Sequence, residues 1–117
     1  MTQHLPETDT PALLLLLWGK RKRFKVVGKS MLPFLQPGEE ILIDPQAYRR
    51  AKPQLDDVVL IKHPHNLQLN IVKRVVRIEE NDNYFVVGDN LPMSTDSRHW
   101  GSIHLTKIIG KATNRFV

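Results

Sequence analysis

The chain of 117 residues contains no cysteine, which excludes a disulfide scaffold, thiolate metal sites and cysteine nucleophiles. It also lacks a long apolar run. The longest, residues 12–18, falls far short of the roughly twenty residues that a transmembrane helix needs. Basic residues follow this run, whereas in a secretory signal they precede the apolar stretch. The sequence therefore predicts one domain without a membrane-spanning segment.

Aromatic residues are few, at 7%, and they are not interleaved with the basic residues that give the net charge of +5. Such a charge suits an acidic partner, such as nucleic acid or an anionic membrane. A stacking platform for bases is unsupported without interleaved aromatic rings. The charge leaves a basic module that binds nucleic acid or membranes without catalysis as an alternative. Because interleaved aromatic rings are lacking, we predict no nucleic-acid partner.

The N-terminal segment divides into a polar stretch and an apolar one. Residues 1–11 contain Pro6 and Pro11 and predict a frayed tail. The apolar run from Leu13 to Trp18 is followed by a basic flank, Lys20-Arg21-Lys22-Arg23. Two interpretations stay open: packing on the domain or on another subunit, or peripheral contact with an anionic membrane. We expect a tail over residues 1–22 and a folded domain over residues 23–117, with the oligomeric state undetermined.

From residue 24 onward, short apolar runs alternate with Pro, Gly, Asn and Asp, as is typical of strands and turns. Strands are predicted over residues 24–27, 41–44, 57–62, 67–80, 84–87 and 108–113. Helical periodicity is confined to residues 12–18 and 46–52. The sequence therefore predicts a mainly β fold, a small antiparallel β domain.

Ser30 lies in a short loop between two predicted strands, after Gly28 and before Pro33. A hydroxyl on such a loop can act as a nucleophile that is held in the open. The same position suits a serine that only satisfies a turn. The loop by itself leaves both interpretations open.

Lys73 lies within the longest predicted strand, where a period of two places it on one face with Ile71 and Val75. An amine on an apolar face is desolvated, which disfavours the ammonium form and lowers the pKa. A neutral lysine can take a proton from a serine hydroxyl. From the pattern alone, a lysine that snorkels at the rim of a sheet remains the alternative.

A third stretch, residues 88–101, combines glycines and short polar side chains with Asp96 and Arg98, two residues apart. It is either an ordered turn region with local hydrogen bonds or a group of residues that orients the lysine.

The three stretches, in this order, resemble the signature motifs of type I signal peptidases. The matching residues are Ser30-Met31-x-Pro33, then Lys73-Arg74-Val75, then Gly88-Asp89-Asn90 with Ser94-x-Asp96-Ser97-Arg98-x-x-Gly101. The resemblance runs from residue 24 to the end and is weakest over residues 46–66. It implies the β fold that signal peptidases share with self-cleaving repressors, reduced to a minimal catalytic core in residues 23–117.

The resemblance also implies a serine endopeptidase with a Ser/Lys dyad. Ser30 would be the nucleophile, Lys73 the general base and Ser94 the serine that orients Lys73. Structural support would come from Asp89, Asn90, Asp96 and Arg98, with Asp96 and Arg98 as an ion pair, and Met31 and Pro33 would bind substrate. The implied partner is a precursor protein.

Several departures from the family pattern narrow this expectation. Gly28 stands where some members have a hydroxyl donor for the oxyanion, and Phe34 stands where threonine is usual. Only residues 75–87 separate the second motif from the third, where many members carry an inserted domain. A short core without a spanning helix resembles the maturation proteases of nickel-type superoxide dismutases, which remove an N-terminal pro-segment.

Two alternative functions share this Ser/Lys chemistry. A membrane-associated signal peptidase that acts on exported preproteins is the alternative within the enzyme class. A self-cleaving repressor would carry an Ala-Gly or Cys-Gly bond upstream of its serine, and residues 1–29 contain neither.

We predict no cofactor and no metal site. His63 and His65 flank a proline in a turn without a third ligand nearby, and His4, His99 and His104 form no set with ligand spacing. We expect a cytoplasmic protein, with peripheral membrane contact as the open question.

Overall fold

A computed structural model describes residues 4–116 of the chain. The helices are α1 (Thr10–Leu17) and α2 (Ser97–Trp100), and the strands are β1 (Lys22–Lys25), β2 (Glu40–Asp44), β3 (Val58–His63), β4 (Asn66–Glu79), β5 (Asn83–Val87), β6 (Ile103–His104) and β7 (Ile108–Phe116). Short 3-10 turns occupy Ala47–Arg49, Leu91–Met93 and Leu105–Lys107.

All seven strands belong to one sheet, in the order β1-β2-β7-β3-β4-β5-β6, and every neighbouring pair is antiparallel. The prediction of a mainly β, antiparallel fold is therefore confirmed. Asn81 and Asp82 both have positive φ between β4 and β5, the backbone geometry that tight hairpins require and that Asn and Asp tolerate.

The sheet is apolar on both faces, so the protein has two hydrophobic clusters. The first contains Leu35, Ile41, Val58 and Val72, and the second contains Val59, Ile61, Val75, Tyr84 and Val86. Successive residues of a strand face opposite sides of the sheet, which is why the neighbours Val58 and Val59 fall into different clusters. Residues 72–75 of β4 are buried on both faces of the sheet.

The N-terminal segment is more ordered than expected. Leu5 is buried in the first cluster, the Thr8 N–H donates to the Arg115 carbonyl at 2.8 Å, and the Arg115 N–H donates to the Pro6 carbonyl at 2.8 Å. The prediction of a frayed tail is therefore wrong for residues 5–8, because the edge of β7 supplies hydrogen-bond partners that the polar sequence does not reveal. Residues 1–3 lie outside the described part, and the division at residue 22 stays a prediction.

Helix α1 begins and ends with recognisable caps. The Asp9 side chain accepts from the Ala12 N–H at 2.9 Å, and Pro11 lies in the first turn. Gly19, with φ of +76°, follows the helix, and its N–H donates to the Leu16 carbonyl. Over residues 46–52, where the periodicity suggests a helix, the structure has only the 3-10 turn Ala47–Arg49.

No helix in residues 4–116 has the length and apolar character needed to cross a membrane.

The first cluster should contribute strongly to stability. Leu35 is completely buried, so Leu35→Ala is expected to lower the free energy of unfolding by about 3 kcal/mol, through lost apolar contacts and a residual cavity. Leu67→Ala is the matched control, because Leu67 is 54% exposed and its truncation should cost about 0.5 kcal/mol or less. Urea denaturation of both variants measures the difference, and equal midpoints would contradict this account of the core.

Candidate active site

Ser30 lies in the loop between β1 and β2, and that loop is fastened to the loop after β5. The Asn90 N–H donates to the Ser30 carbonyl at 2.8 Å, and the Asn90 side-chain amide donates to the Lys29 carbonyl at 3.0 Å. Asn90 therefore fixes the backbone of Ser30 from a residue that is distant in sequence. Ser30 itself is only partly buried.

Gly88 lies where the Ser30 loop meets Ser94. A methyl group added at Gly88 would come within 2.2 Å of the Ser94 Oγ and 2.6 Å of the Ser30 carbonyl oxygen. Such distances are possible only without a side chain, so Gly88 allows the two segments to approach each other. The first and third sequence motifs therefore meet at this glycine.

Lys73 is buried on β4, 4% exposed, on the same face as Val59 and Val75 of the second cluster. Its amine donates to the Ser94 Oγ at 3.1 Å, and the Ser94 hydroxyl donates to the Asp96 Oδ2 at 2.6 Å. The amine thus belongs to a buried chain of hydrogen bonds that ends on a carboxylate.

Asp96 is fully buried and accepts hydrogen bonds from several sides. The Gly88 N–H donates to it at 3.0 Å, and Arg98 donates from its Nε at 2.9 Å and its Nη2 at 3.1 Å. Burial alone raises the pKa of Asp96, but hydrogen bonds from Arg98, Ser94 and the Gly88 N–H outweigh it and hold the pKa well below the usual range. Asp96 is therefore an ionised group inside the protein.

Burial lowers the pKa of the Lys73 amine below its ordinary value. The Asp96 carboxylate acts in the opposite direction, and the Arg98 guanidinium reinforces the lowering. Arg98 therefore offsets part of the effect of the Asp96 carboxylate on Lys73. Because its pKa is lowered, a larger fraction of Lys73 is neutral at a given pH than of an exposed lysine.

Asp89 and Arg74 form a second ion pair, on the opposite face of β4 from Lys73. The Arg74 Nε and Nη2 each donate to one carboxylate oxygen of Asp89 at 2.9 Å, and Arg74 also donates to the Asp56 carbonyl. The Phe34 ring lies under the guanidinium, 4.5 Å from ring centroid to Cζ. Phe34 therefore packs against Arg74 and does not line the cleft at Ser30.

An open cleft of about 450 Å³ lies at Ser30. Its walls are mostly apolar and consist of Phe24, Val26, Val27, Ser30, Met31, Gln68, Leu69, Asn70, Ile71 and Val72. Met31, predicted to bind substrate, contributes to this wall although its side chain is otherwise buried. Pro33, also predicted to bind substrate, is exposed and is not part of the wall.

The structure brings most of the predicted residues together, but in residues 4–116 no hydrogen bond joins Ser30 to Lys73. In residues 4–116 the Ser30 hydroxyl makes no hydrogen bond, and the only side-chain partner of the Lys73 amine is Ser94. Catalytic hydrogen bonds are often long before substrate binds. The roles of Ser30 and Lys73 therefore stay predictions.

Sequence reasoning missed the wall of the cleft on β4. Gln68, Asn70 and Val72 alternate along the strand, so the period of two could have placed them on one face. Nothing in the sequence indicated that this face borders the Ser30 loop, because that contact joins segments about forty residues apart.

Most of the chain matches a known protein family. The family model described as "Signal peptidase, peptidase S26" matches residues 11–79 and 78–117. The mitochondrial ATP-independent inner membrane protease subunit 1a of Arabidopsis thaliana is 33% identical over 77% of this chain and 67% of its own length. The probable signal peptidase I-1 of Synechocystis is 26% identical over 90% of this chain and 75% of its own length.

A third relative, signal peptidase I of Buchnera aphidicola, is 29% identical over 70% of this chain but only 32% of its own length. The matched part therefore corresponds to a fraction of that protein. The family model and these relatives therefore lead to the same assignment. The chain belongs to the signal peptidase family, peptidase S26, and is a serine-type endopeptidase.

Proposed function

We propose that Ser30 is the nucleophile and Lys73 the general base of this peptidase. The observation that carries the proposal is the burial of the Lys73 amine, with its lowered pKa and its hydrogen bond to Ser94. Ser94 holds the amine in place and is itself held by Asp96. Asp89 and Asn90 keep the adjoining loops in position.

Acylation follows from this arrangement. Neutral Lys73 takes the proton of the Ser30 hydroxyl while the Ser30 Oγ attacks the peptide carbonyl of the substrate. When the tetrahedral intermediate collapses, the C–N bond breaks and Lys73 returns the proton to the leaving amine. The N-terminal part of the substrate is left as an ester on Ser30.

Deacylation reverses the same proton transfers. Lys73 takes a proton from a water molecule, whose oxygen attacks the ester carbonyl, and Ser30 leaves with that proton restored. The enzyme is returned to its starting state, with a neutral lysine and a free hydroxyl.

The backbone N–H of Ser30 is the donor that we assign to the oxyanion. In the described chain it donates no hydrogen bond, so it is available to the substrate. A donor of this kind is worth about 3–4 kcal/mol in other serine peptidases. Gly28 has no hydroxyl to add, and its φ of +80° places it in a conformation that glycine adopts freely.

An extended peptide is the substrate form that fits the cleft. β4 pairs with β3 from Asn66 to Arg74, but among the described residues it pairs with β5 only from Arg74 onward. The second edge of residues 66–73 is thus free beside Ser30, where a peptide can add as a further strand. Alternate side chains of that peptide would enter the apolar cleft.

The proposed substrate is a precursor protein with an N-terminal pro-segment. The specific substrate that we propose is the precursor of a nickel-type superoxide dismutase. The short interval of residues 75–87 between the second and third motifs supports it, together with the resemblance to compact maturation proteases. The relatives named as signal peptidases support exported preproteins at least as well. Peripheral membrane contact through α1 and its basic flank belongs to that second candidate. Cytoplasmic localisation stays a prediction.

The first prediction here concerns cleavage. Purified protein should remove the pro-segment from a nickel-type superoxide dismutase precursor without lipid, whereas Ser30→Ala should lower turnover by at least about 1,000-fold because the nucleophile is lost. Ser102→Ala is the control and should keep full activity, because Ser102 contacts Glu79 away from Ser30. Mass spectrometry identifies the products. Cleavage of a vesicle-bound preprotein instead would favour the signal-peptidase candidate, and an active Ser30→Ala variant would refute the nucleophile.

The second prediction links activity to stability. Lys73→Met keeps most of the volume without the charge, so it should abolish cleavage yet raise the free energy of unfolding at pH 7 by about 1 kcal/mol. Because the folded-state pKa of Lys73 is lowered, the unfolded chain binds more protons between the two pKa values, and wild-type stability rises with pH there. The advantage of the variant should therefore shrink as pH rises.

Lys62→Met is the control for this substitution, because Lys62 is an exposed residue of the neighbouring strand β3. It should leave cleavage and the pH dependence of stability unchanged. Denaturant midpoints for the three proteins between pH 6 and pH 10 give the measurement, and a destabilised Lys73→Met variant would contradict the desolvation cost that we assign to the buried amine.

The third prediction concerns the pH profile. Arg98→Gln removes a positive charge that lowers the pKa of Lys73, so the acid limb of kcat/KM should move to higher pH. Arg77→Gln is the control, because Arg77 pairs with Glu79 on the surface and should leave the profile unchanged. An unshifted acid limb in the Arg98 variant would mean that Lys73 does not sense this charge.

A further inference from the structure

Helix α1 is apolar on all sides, although it lies on the surface. Of its residues only Ala12 is buried, while Leu17 and the following Trp18 are 71% and 73% exposed. An all-apolar helix needs an apolar environment around it, such as a protein core or a lipid phase. Its eight residues span about 12 Å, too short to cross a bilayer but sufficient to lie in the interface.

A cleft of about 370 Å³ adjoins the C-terminal end of this helix. It is lined by Leu15, Lys20, Arg21, Asp44, Gln46, Ala47 and Arg50. Three cationic side chains therefore face one carboxylate, and the lining has a net positive charge. This cleft is separate from the Ser30 cleft, with which it shares no residue.

Arg21 is incompletely paired within this basic cleft. Its Nη1 lies 3.5 Å from the Asp44 carboxylate, while its Nε is buried without a hydrogen-bond partner in residues 4–116. The Gln46 N–H donates to the same carboxylate at 2.9 Å, which fixes Asp44 in place. A buried donor without a partner is costly, so an acceptor that reaches Arg21 would be bound favourably.

The basic cleft matches a phosphate in charge and in donor geometry. Arginine presents a planar fork of N–H groups that fits the oxygens of a phosphate, and Lys20 and Arg50 add positive charge. Neither Lys20 nor Arg50 forms an ion pair in the described part of the chain. Both side chains are therefore available to an anionic ligand.

We propose that the basic cleft binds the phosphate of an anionic phospholipid headgroup while Leu17 and Trp18 contact the acyl boundary. Trp18 precedes Lys20 by two residues, so the apolar and phosphate-binding parts are joined as in the interface of a bilayer. A soluble phosphate would leave the exposed leucine and tryptophan without a partner. This inference rests on the membrane contact proposed above and does not require peptidase activity.

Vesicle co-sedimentation of the full chain tests the site. The vesicles contain phosphatidylcholine alone or with about 30% phosphatidylglycerol, where each lysine or arginine near the surface contributes about fivefold to partitioning. The double variant Lys20→Gln/Arg50→Gln should bind the anionic vesicles about 30-fold more weakly than the wild type. The matched control, Lys62→Gln/Arg49→Gln, removes the same charge from exposed residues outside the cleft and the basic flank and should lose less than about fivefold.

The apolar part has its own pair of variants. Leu17→Ser should weaken binding by about tenfold, because it removes an apolar side chain that the membrane would bury. Leu67→Ser alters an exposed leucine outside α1 and should have no effect. Circular dichroism confirms that all variants are folded.

Each remaining outcome overturns part of the proposal. Equal weakening by the two double variants would show diffuse attraction and refute the headgroup site while leaving membrane contact intact. Failure of the wild type to bind anionic vesicles would refute membrane contact itself. Inorganic phosphate is the second probe. Its binding is monitored by the NMR chemical shifts of the backbone amides of Arg21 and Arg50. Submillimolar binding of phosphate, together with equal vesicle binding of the double variants, would assign the cleft to a soluble phosphate.

Discussion

The buried carboxylate of Asp96 is the group on which the site depends. It receives hydrogen bonds from Ser94, from the Gly88 N–H and from Arg98, so it joins the end of β5 to the start of α2. A buried carboxylate is tolerated only when it is paired and hydrogen-bonded. Loss of Asp96 would therefore release Ser94, and with it the only side-chain partner of Lys73 in the described chain.

Lys73 shows how the protein reconciles a buried amine with stability. Burial on the apolar face of β4 lowers the pKa of Lys73, and the amine costs folding free energy while it is protonated. The Asp96 carboxylate acts in the opposite direction and raises the pKa of Lys73. Arg98 reduces this effect and pairs with Asp96, so the pKa of Lys73 stays lowered without an unpaired carboxylate in the interior.

The sequence predicted the local features of the fold better than the long-range ones. Apolar runs located strands such as β3, because residues that are buried on both faces of a sheet form a continuous apolar stretch. The period of two along β4 placed Lys73 on the correct face. It failed for residues 5–8, where order depends on hydrogen bonds to Arg115, about 110 residues away.

The residues of the candidate site also fall into those that the sequence could predict and those that depend on long-range packing. The resemblance singled out Ser94 and Asp96, and the structure shows the hydrogen bonds that join them to Lys73. The wall that Gln68 and Asn70 contribute could not be found, since it depends on which loop packs beside β4. The basic cleft was hidden as well, because Arg50 and Lys20 meet only after β2 has brought them together.

The register of β4 determines how these parts work together. Its residues 66–73 offer a free edge beside Ser30, Lys73 faces the second cluster, and Arg74 reaches Asp89 from the opposite face. A slip of one residue would exchange the two faces and place Arg74 where the Lys73 amine now contacts Ser94. The pairing of Val59 with Lys73 and of Val58 with Arg74 opposes such a slip, because both valines are buried in different clusters. The irregularity between β4 and β5 occurs only after Val75, so it alters the strand beyond the site and leaves the position of Lys73 intact.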